Sequence, residues 1–242
     1  VFPLIKDFDA IYTNPNKSRI FIDSELINAG KKLKVICTAS TGTNHIDMNY
    51  ALNKKIKVLS LTEERDVINK ISSTAEHAFA LTMSSLRNVL VSHNDVLKGG
   101  WDYEKFIGRQ LDGLTIGIVG YGRLGSIYAN YCLAFGSRVL VYDPYKSVLH
   151  NKIIQVDDII ELLVETEVIS FHVHVTNETI NMVDYSWFSR MKSDVLIVNT
   201  SRGDIIVEKD LVNFLTENNK ARIATDVLTD EIRNRSKSPL LK

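Results

Sequence analysis

Short apolar runs alternate with stretches of helical period along almost the whole chain. Near its start, AIY (10–12), LKVIC (33–37) and IKVLSL (56–61) read as strands. Between them, DSELINAG (23–30), closing on a glycine in the C′ position, and IDMNYALNKK (46–55) read as helices. A longer helix is expected over residues 74–90. Ser73 and Glu76 have the spacing of a capping box, and Phe79, Met83, Leu86 and Leu90 recur on one face. LKGGWDYE (97–104) interrupts the pattern, and LTIGIV (114–119) opens a second, more apolar series with strands over 138–142, 167–171, 195–198 and 222–227. Strands alternating with helices predict a parallel sheet with crossover helices, and near-continuous apolarity predicts cover on both faces. The domain boundary is expected at the head of the long helix, giving domains 1–77 and 78–242.

Composition narrows the function more than the fold. Lys+Arg and Asp+Glu are both 29 and the net charge is zero, with no basic block or stripe, so nucleic acid is not an expected partner. The longest apolar runs fall far short of the ~20 residues of a membrane span, and no secretory leader is read. Cys37 and Cys132 lack CxxC spacing and metal-type neighbours. They read as buried, reduced thiols of a cytoplasmic protein, and no metal is expected.

The most informative stretch is TIGIVGYGRLG, in which Gly120, Gly122 and Gly125 fall directly after a strand and before a helix. Gly120 suits the tight turn, Gly122 lets a pyrophosphate approach the backbone, and Gly125 lets the helix lie close to the strand. The helix from Arg123 carries Leu124, Ile127, Tyr131 and Phe135 on one side, leaving its N-terminal N–H groups for an anion. The next strand, RVLVYD, ends in Asp143. A carboxylate there can accept both hydroxyls of an adenine ribose; the plainer alternative is a turn-starting Asp before Pro144. At ~4 Å and an effective dielectric near 20, its repulsion of a 2′-phosphate is about 4 kcal/mol, which favours NAD over NADP. The expected fold is α/β: a Rossmann-type doubly wound parallel sheet with a second, smaller α/β domain.

Ligands of open parallel sheets sit beyond the carboxyl ends of the strands. Those ends carry FHVHV (171–175), NTSRGD (199–204) and TDVLTDE (225–231), and in the first domain TNPNKS (13–18) and STGTNHID (40–47). Together with AEHAFALTMSSLR, GRQLDGLTIGIVGYGRLG and FGSRVLVYDPY, these segments in this order resemble the D-isomer-specific 2-hydroxy acid dehydrogenases, a family that includes phosphoglycerate dehydrogenases and glyoxylate/hydroxypyruvate reductases. The resemblance runs from about residue 9 to the end. It implies a flavodoxin-like first domain, incomplete here, NAD as cofactor, and a small 2-hydroxy or 2-oxo acid as substrate. It makes Arg202 the catalytic arginine and Glu231 the partner of a catalytic histidine. It assigns cofactor contacts to Arg123, Leu124, Asp143, His172, Thr200, Ser201, Arg202 and Asp226 beside the three glycines. Thr41 and Gly42 would offer N–H groups to a substrate carboxylate, with Asn44 nearby. A homodimer through the cofactor domain is also implied, with Trp101 and Phe106 as interface anchors; packing within the chain would explain those two nearly as well.

These residue types suit the chemistry. A 2-oxo acid carries a carboxylate and a carbonyl on adjacent carbons, and a planar guanidinium can donate to both. A histidine then protonates the new hydroxyl, and a neighbouring carboxylate raises its pKa toward working pH. That histidine is expected roughly 20–30 residues past Glu231, beyond the chain considered, which reads as truncated at both ends. His45 and His77 belong to other motifs, His93 and His150 read as surface positions, and His172 matches a cofactor-side position. His174 stands where the family usually has proline, which predicts a looser loop there, and Ile232 departs from the family in the same way after Glu231. Lys17, Arg19 and Arg65 are candidate cations for a phosphorylated substrate, or plain solvated charges. The alternatives to an enzyme are a non-catalytic NAD(H)-binding regulator of corepressor type and an inactive relative.

Overall fold

Among the described residues, nine strands form two separate, wholly parallel sheets. The computed structural model describes residues 2–14, 20–43, 45–62 and 64–241. They divide into two compact units, Val1–Ile71 and Ser72–Lys242. The division falls ahead of the expected position 77, because the long helix packs from its first turn onward within the second unit.

In the first unit, β1 (Ala10–Thr13), β2 (Val35–Thr38) and β3 (Lys57–Leu59) lie in chain order. The helices α1 (Ser24–Ala29) and α2 (Met48–Asn53) start where the sequence offers an acid. Asp23 Oδ1 accepts from the Leu26 N–H and Asp47 Oδ1 from the Tyr50 N–H, both at 2.9 Å. Gly30 closes α1 at φ −82°, so it caps without the left-handed backbone its type suggests. Ile22, Leu26, Ile27, Ile36, Ile46 and Ala51 form the core.

In the second unit, β4 (Thr115–Val119), β5 (Arg138–Tyr142), β6 (Ile153–Gln155), β7 (Val168–Phe171), β8 (Leu196–Asn199) and β9 (Arg222–Thr225) take the order β6-β5-β4-β7-β8-β9. The order reverses at β4/β7, the point where an open α/β sheet leaves a crevice. Both faces are covered, as the apolar runs predict. Leu140, Ile169, Phe171 and Ile197 pack on one side, and Val139, Val141, Val168, Leu196 and Val198 on the other. The sequence pattern did not disclose β6: it is a three-residue edge strand with Ile154 exposed.

The long helix is two helices. α3 (Ser73–Leu86) packs against α5 (Arg123–Ala134), β8 and β9, whereas α4 (Val89–Leu97) buries none of its residues. The cap is Ser72, one residue earlier than expected, and its hydroxyl donates to Glu76 at 2.5 Å. The break is Asn88, buried and left-handed at φ 56°. Its amide donates to Phe106 O (3.2 Å) and Ile107 O (3.4 Å), and its Oδ1 accepts from Arg222 at 2.6 Å. Arg222 also donates to Ser85 O at 2.8 Å. An amide satisfying both sides of the junction overrides the continuous helical period, and Leu90, placed on the packed face by that period, is 69% exposed.

Replacing Asn88 by Ala removes these bonds and leaves a Cβ residue in left-handed backbone. Stability is expected to fall by about 2–4 kcal/mol, read as a lower urea midpoint at unchanged m-value, with Asn88→Gly milder because it accepts the backbone angle.

Candidate functional site

The second unit gathers its polar residues at the carboxyl ends of the strands. Gly120 follows β4 at φ 93°, a conformation that L side chains rarely adopt. A Cβ there would stand 2.7 Å from the carbonyl oxygen of His172 at the end of β7, so the two strand ends meet at the switch point. A Cβ on Gly125 would lie 2.1 Å from Gly120 O, which only a glycine allows as α5 rises from the loop. Gly122 differs: nothing lies within 4 Å of its Cβ position. It caps α5 with no side-chain hydrogen bond, and a helix's first N–H groups have no intrahelical acceptor. Open space over uncapped, electropositive amides is a cradle for a phosphate.

Asp143, after β5, accepts from the Tyr121 N–H at 2.7 Å and from the Tyr145 N–H at 2.9 Å, one bond to each carboxylate oxygen. It is thereby tied to the glycine loop, half-buried, with lone pairs remaining for hydroxyl donors. Arg123 and Leu124 are half-buried at the start of α5.

Beneath the loop runs a buried polar chain. Thr82 of α3 and Tyr128 of α5 share a 2.7 Å hydroxyl bond, and Ser170 of β7 meets His172 Nε2 at 2.9 Å. The His172 ring packs on Tyr128 at 5.1 Å between centroids. Although His172 as a residue is only half-buried, its ring is desolvated here, and burial pulls its pKa down to about 4. A neutral ring fits a positioning role and not that of a proton donor at neutral pH. Burial likewise pushes the Cys132 thiol up to about 12, which keeps it inert.

Beyond β8, the Asn199 side chain organises the turn: it accepts from the Ser201 N–H (3.0 Å) and O–H (2.7 Å) and donates to Arg202 O (2.8 Å). The half-buried Arg202 guanidinium donates to Ser201 O at 2.5 Å. Thr200 Oγ1 is buried with no hydrogen-bond partner among the described residues, a hydroxyl in want of a polar group. The turn is locked to the loop after β9, since a Cβ on Gly203 would stand 2.0 Å from the Leu228 carbonyl carbon. In that loop Asp226 faces His77 of α3 at 3.5 Å, and Glu231 Oε2 accepts from the Leu228 N–H at 3.1 Å. Arg202, Asp226 and Glu231 thus belong to two interlocked loops. The His77 pairing was missed because its motif reads as a linker helix. After His174, the Thr179 hydroxyl donates to His174 O at 2.5 Å and accepts from the Thr176 N–H at 2.8 Å, bracing the loop where the family has proline.

In the first unit, the Thr41 and Gly42 carbonyls accept from Thr62 Oγ1 (3.0 Å) and Ser40 Oγ (2.7 Å). Anchored carbonyls suit a loop whose N–H groups serve an anion. Asn44, Lys17 and Arg19 lie outside the described residues, and Arg65 is exposed. His45 is buried in this unit, its pKa lowered by burial.

The open cradle at Gly122, the fixed Asp143 and the orphaned Thr200 hydroxyl fit a dinucleotide. The comparisons agree. Residues 79–242 match the model of the D-isomer specific 2-hydroxyacid dehydrogenase, NAD binding domain. The chain is 36% identical over 228 residues to the D-3-phosphoglycerate dehydrogenase of Archaeoglobus fulgidus, covering 93% of this chain and 42% of that protein. It is 32% identical over 224 residues to the hydroxypyruvate reductase of Thermotoga maritima, covering 90% of this chain and 71% of that protein. Among solved structures it is similar to the D-lactate dehydrogenase of Aquifex aeolicus complexed with NAD and lactic acid, with TM-score 0.83, 32% identity, and coverage of 100% of this chain and 71% of the other. The chain spans well under half the length of the curated phosphoglycerate dehydrogenases it matches.

The His172 environment predicts a pH dependence. Its pKa of about 4 in the folded chain lies below the ordinary ~6.5 of an unfolded histidine. Its contribution is therefore complete above pH ~6.5 and is lost as pH falls toward 4, on the order of 3 kcal/mol in all. Denaturation midpoints are expected to drop across that window, and His172→Gln to flatten the drop. His45 shifts in the same direction, so the variant isolates the His172 share.

Proposed function

Because the chain belongs to the D-isomer specific 2-hydroxyacid dehydrogenase family, we propose that the whole protein is an NAD-dependent oxidoreductase interconverting a small D-2-hydroxy acid and its 2-oxo acid. The substrate is of the phosphoglycerate, glycerate or glycolate type. The observation that carries this reading is the Asn199-braced turn presenting Arg202 beside the Asp226–Glu231 loop.

Bound NAD(H) supplies the redox chemistry, a hydride passed to or from the carbon that bears the substrate oxygen. The Gly120–Gly125 loop and the start of α5, Arg123 and Leu124 included, take the pyrophosphate. Asp143 takes the ribose hydroxyls and repels a 2′-phosphate. His172, Thr200, Ser201 and Asp226 line the path toward the nicotinamide. Arg202 donates its planar fork to the substrate's carboxylate and carbonyl oxygen, orienting the acid and drawing electron density from the reacting carbon. Glu231 partners the proton-donating histidine and raises its pKa toward working pH. In the first unit, Thr41, Gly42 and Asn44 are the donors offered to the substrate carboxylate. Free thiols at Cys37 and Cys132 support a reducing, cytoplasmic setting.

A homodimer completes the proposal. Every residue of α4 is at least partly exposed, with Leu90 at 69% and Leu97 at 72%. Trp101, four residues past Leu97 in the chain, is 91% exposed, so packing within the chain does not account for it, whereas Phe106 is half-buried. An apolar strip of this kind favours a partner, here a second copy.

Full-length protein is expected to oxidise NADH with at least one of glyoxylate, hydroxypyruvate, pyruvate and phosphohydroxypyruvate. Arg202→Ala should lower kcat/KM by about two to three decades while NADH binding, read by fluorescence, persists. NADH binding without turnover of any 2-oxo acid would favour the regulator. Sedimentation velocity should give a dimer that the Leu90→Glu, Leu97→Glu double variant converts to monomer; a monomeric wild type would refute the assembly.

A further inference from the structure

Glu208 is the first residue of α7 (Glu208–Glu217) and only 9% exposed, an unusual place for a carboxylate. Neither oxygen faces water alone. Oε1 accepts from the Thr229 N–H at 2.7 Å and Oε2 from the Ser238 hydroxyl at 2.6 Å. Ser238 is itself buried, and its oxygen accepts from the Leu240 N–H at 3.3 Å. One side chain therefore joins three segments distant in sequence: the head of α7, the loop after β9, and the segment at 238–240.

The Thr229 amide is the telling partner. The neighbouring Leu228 N–H donates to Glu231, so two successive peptide groups each hold a different carboxylate. The same Leu228–Thr229 peptide also packs against Gly203, and the Asp230 N–H reaches Asp204 Oδ1 at 3.4 Å. Asp230 is left-handed at φ 47°, a backbone state that needs its surroundings to hold it. Freeing the Thr229 peptide would let the Leu228 peptide turn and with it release Glu231.

We propose that Glu208 is a positioning residue that sets the orientation of Glu231 through the consecutive amides of Leu228 and Thr229. The proposal rests on the reading of Glu231 given under Proposed function. A plain helix-start acid would add stability alone; Glu208 also holds the acid–base end of the site in register.

The test uses full-length protein and the variants Glu208→Ala, Glu208→Gln and Ser238→Ala. Glu208→Ala should lower kcat for 2-oxo acid reduction about 10–100-fold, the usual consequence of a small misplacement, with KM for NADH unchanged. Glu208→Gln should restore kcat, because its carbonyl still accepts from Thr229 while its amide donates to Ser238. Ser238→Ala, gentler on folding, should give a smaller loss in the same direction. Amide hydrogen exchange should report lost protection at Thr229 in Glu208→Ala and retained protection in Glu208→Gln. The proposal is overturned by wild-type kcat and Thr229 protection in folded Glu208→Ala. It is overturned equally by a Gln variant as poor as the Ala variant, or by kcat and NADH affinity falling together. If Glu208→Ala does not fold, Ser238→Ala decides by the same readouts. If the wild type reduces no 2-oxo acid, the functional reading fails by itself, and Thr229 exchange still decides whether Glu208 holds the loop.

Discussion

Backbone meets backbone at Gly120, Gly125 and Gly203, and the geometry of the strand-end site follows from those approaches. At Gly120 and Gly125 a Cβ would collide with main-chain oxygen, and at Gly203 with the Leu228 peptide. Such contacts are closer than side chains permit, so they fix spacings that side-chain packing leaves adjustable by several tenths of an ångström. The first two seat α5 against β4 and β7 at the switch point. The third seats the turn after β8 against the loop after β9. The glycine loop and the Arg202 turn are thus set by the same kind of constraint on the two halves of one sheet. The polar bonds of Asn199, Asp143 and Glu208 then select among the conformations that remain.

The sheet explains why these approaches coincide at one edge. Parallel strands place every carboxyl end on the same side, and two-sided burial fixes their register, because a slip of one residue would exchange the faces. Leu140 between Val139 and Val141, and Ile197 between Leu196 and Val198, are anchored in opposite layers. The crevice is where polar residues can sit without burying unpaired groups. Thr200, whose buried hydroxyl has no partner among the described residues, is the exception and marks how near the core that margin lies.

Much of this was legible along the chain. Strands β4, β5, β7 and β8 fall within a residue of their apolar runs, and the glycine spacing disclosed the loop with each glycine's task distinct. What escaped had a common cause: interactions between residues far apart. The break at Asn88 depends on Arg222 and the Phe106 carbonyl, which no helical period encodes. Strand β6 exists because it pairs with β5, and three residues with one buried face carry too little pattern to announce it. His77 looked like a linker-motif histidine until the fold brought Asp226 to it, and no motif marks Glu208 as the acceptor of the Thr229 amide. Carbonyl anchoring at Thr41 likewise needed Thr62.

The Asn199 side chain spends its oxygen on Ser201 and its nitrogen on Arg202, so the turn carrying the guanidinium is a closed, self-satisfied ring of polar contacts. The segment after β7 is built otherwise, its shape kept by threonine hydroxyls at the surface. Variation that retunes ligand preference therefore has an asymmetric terrain. Exposed positions of that segment such as Val175 and Asn177 can vary with little penalty to the scaffold, whereas nearly any exchange at Asn199 would disturb the arginine before it altered selectivity.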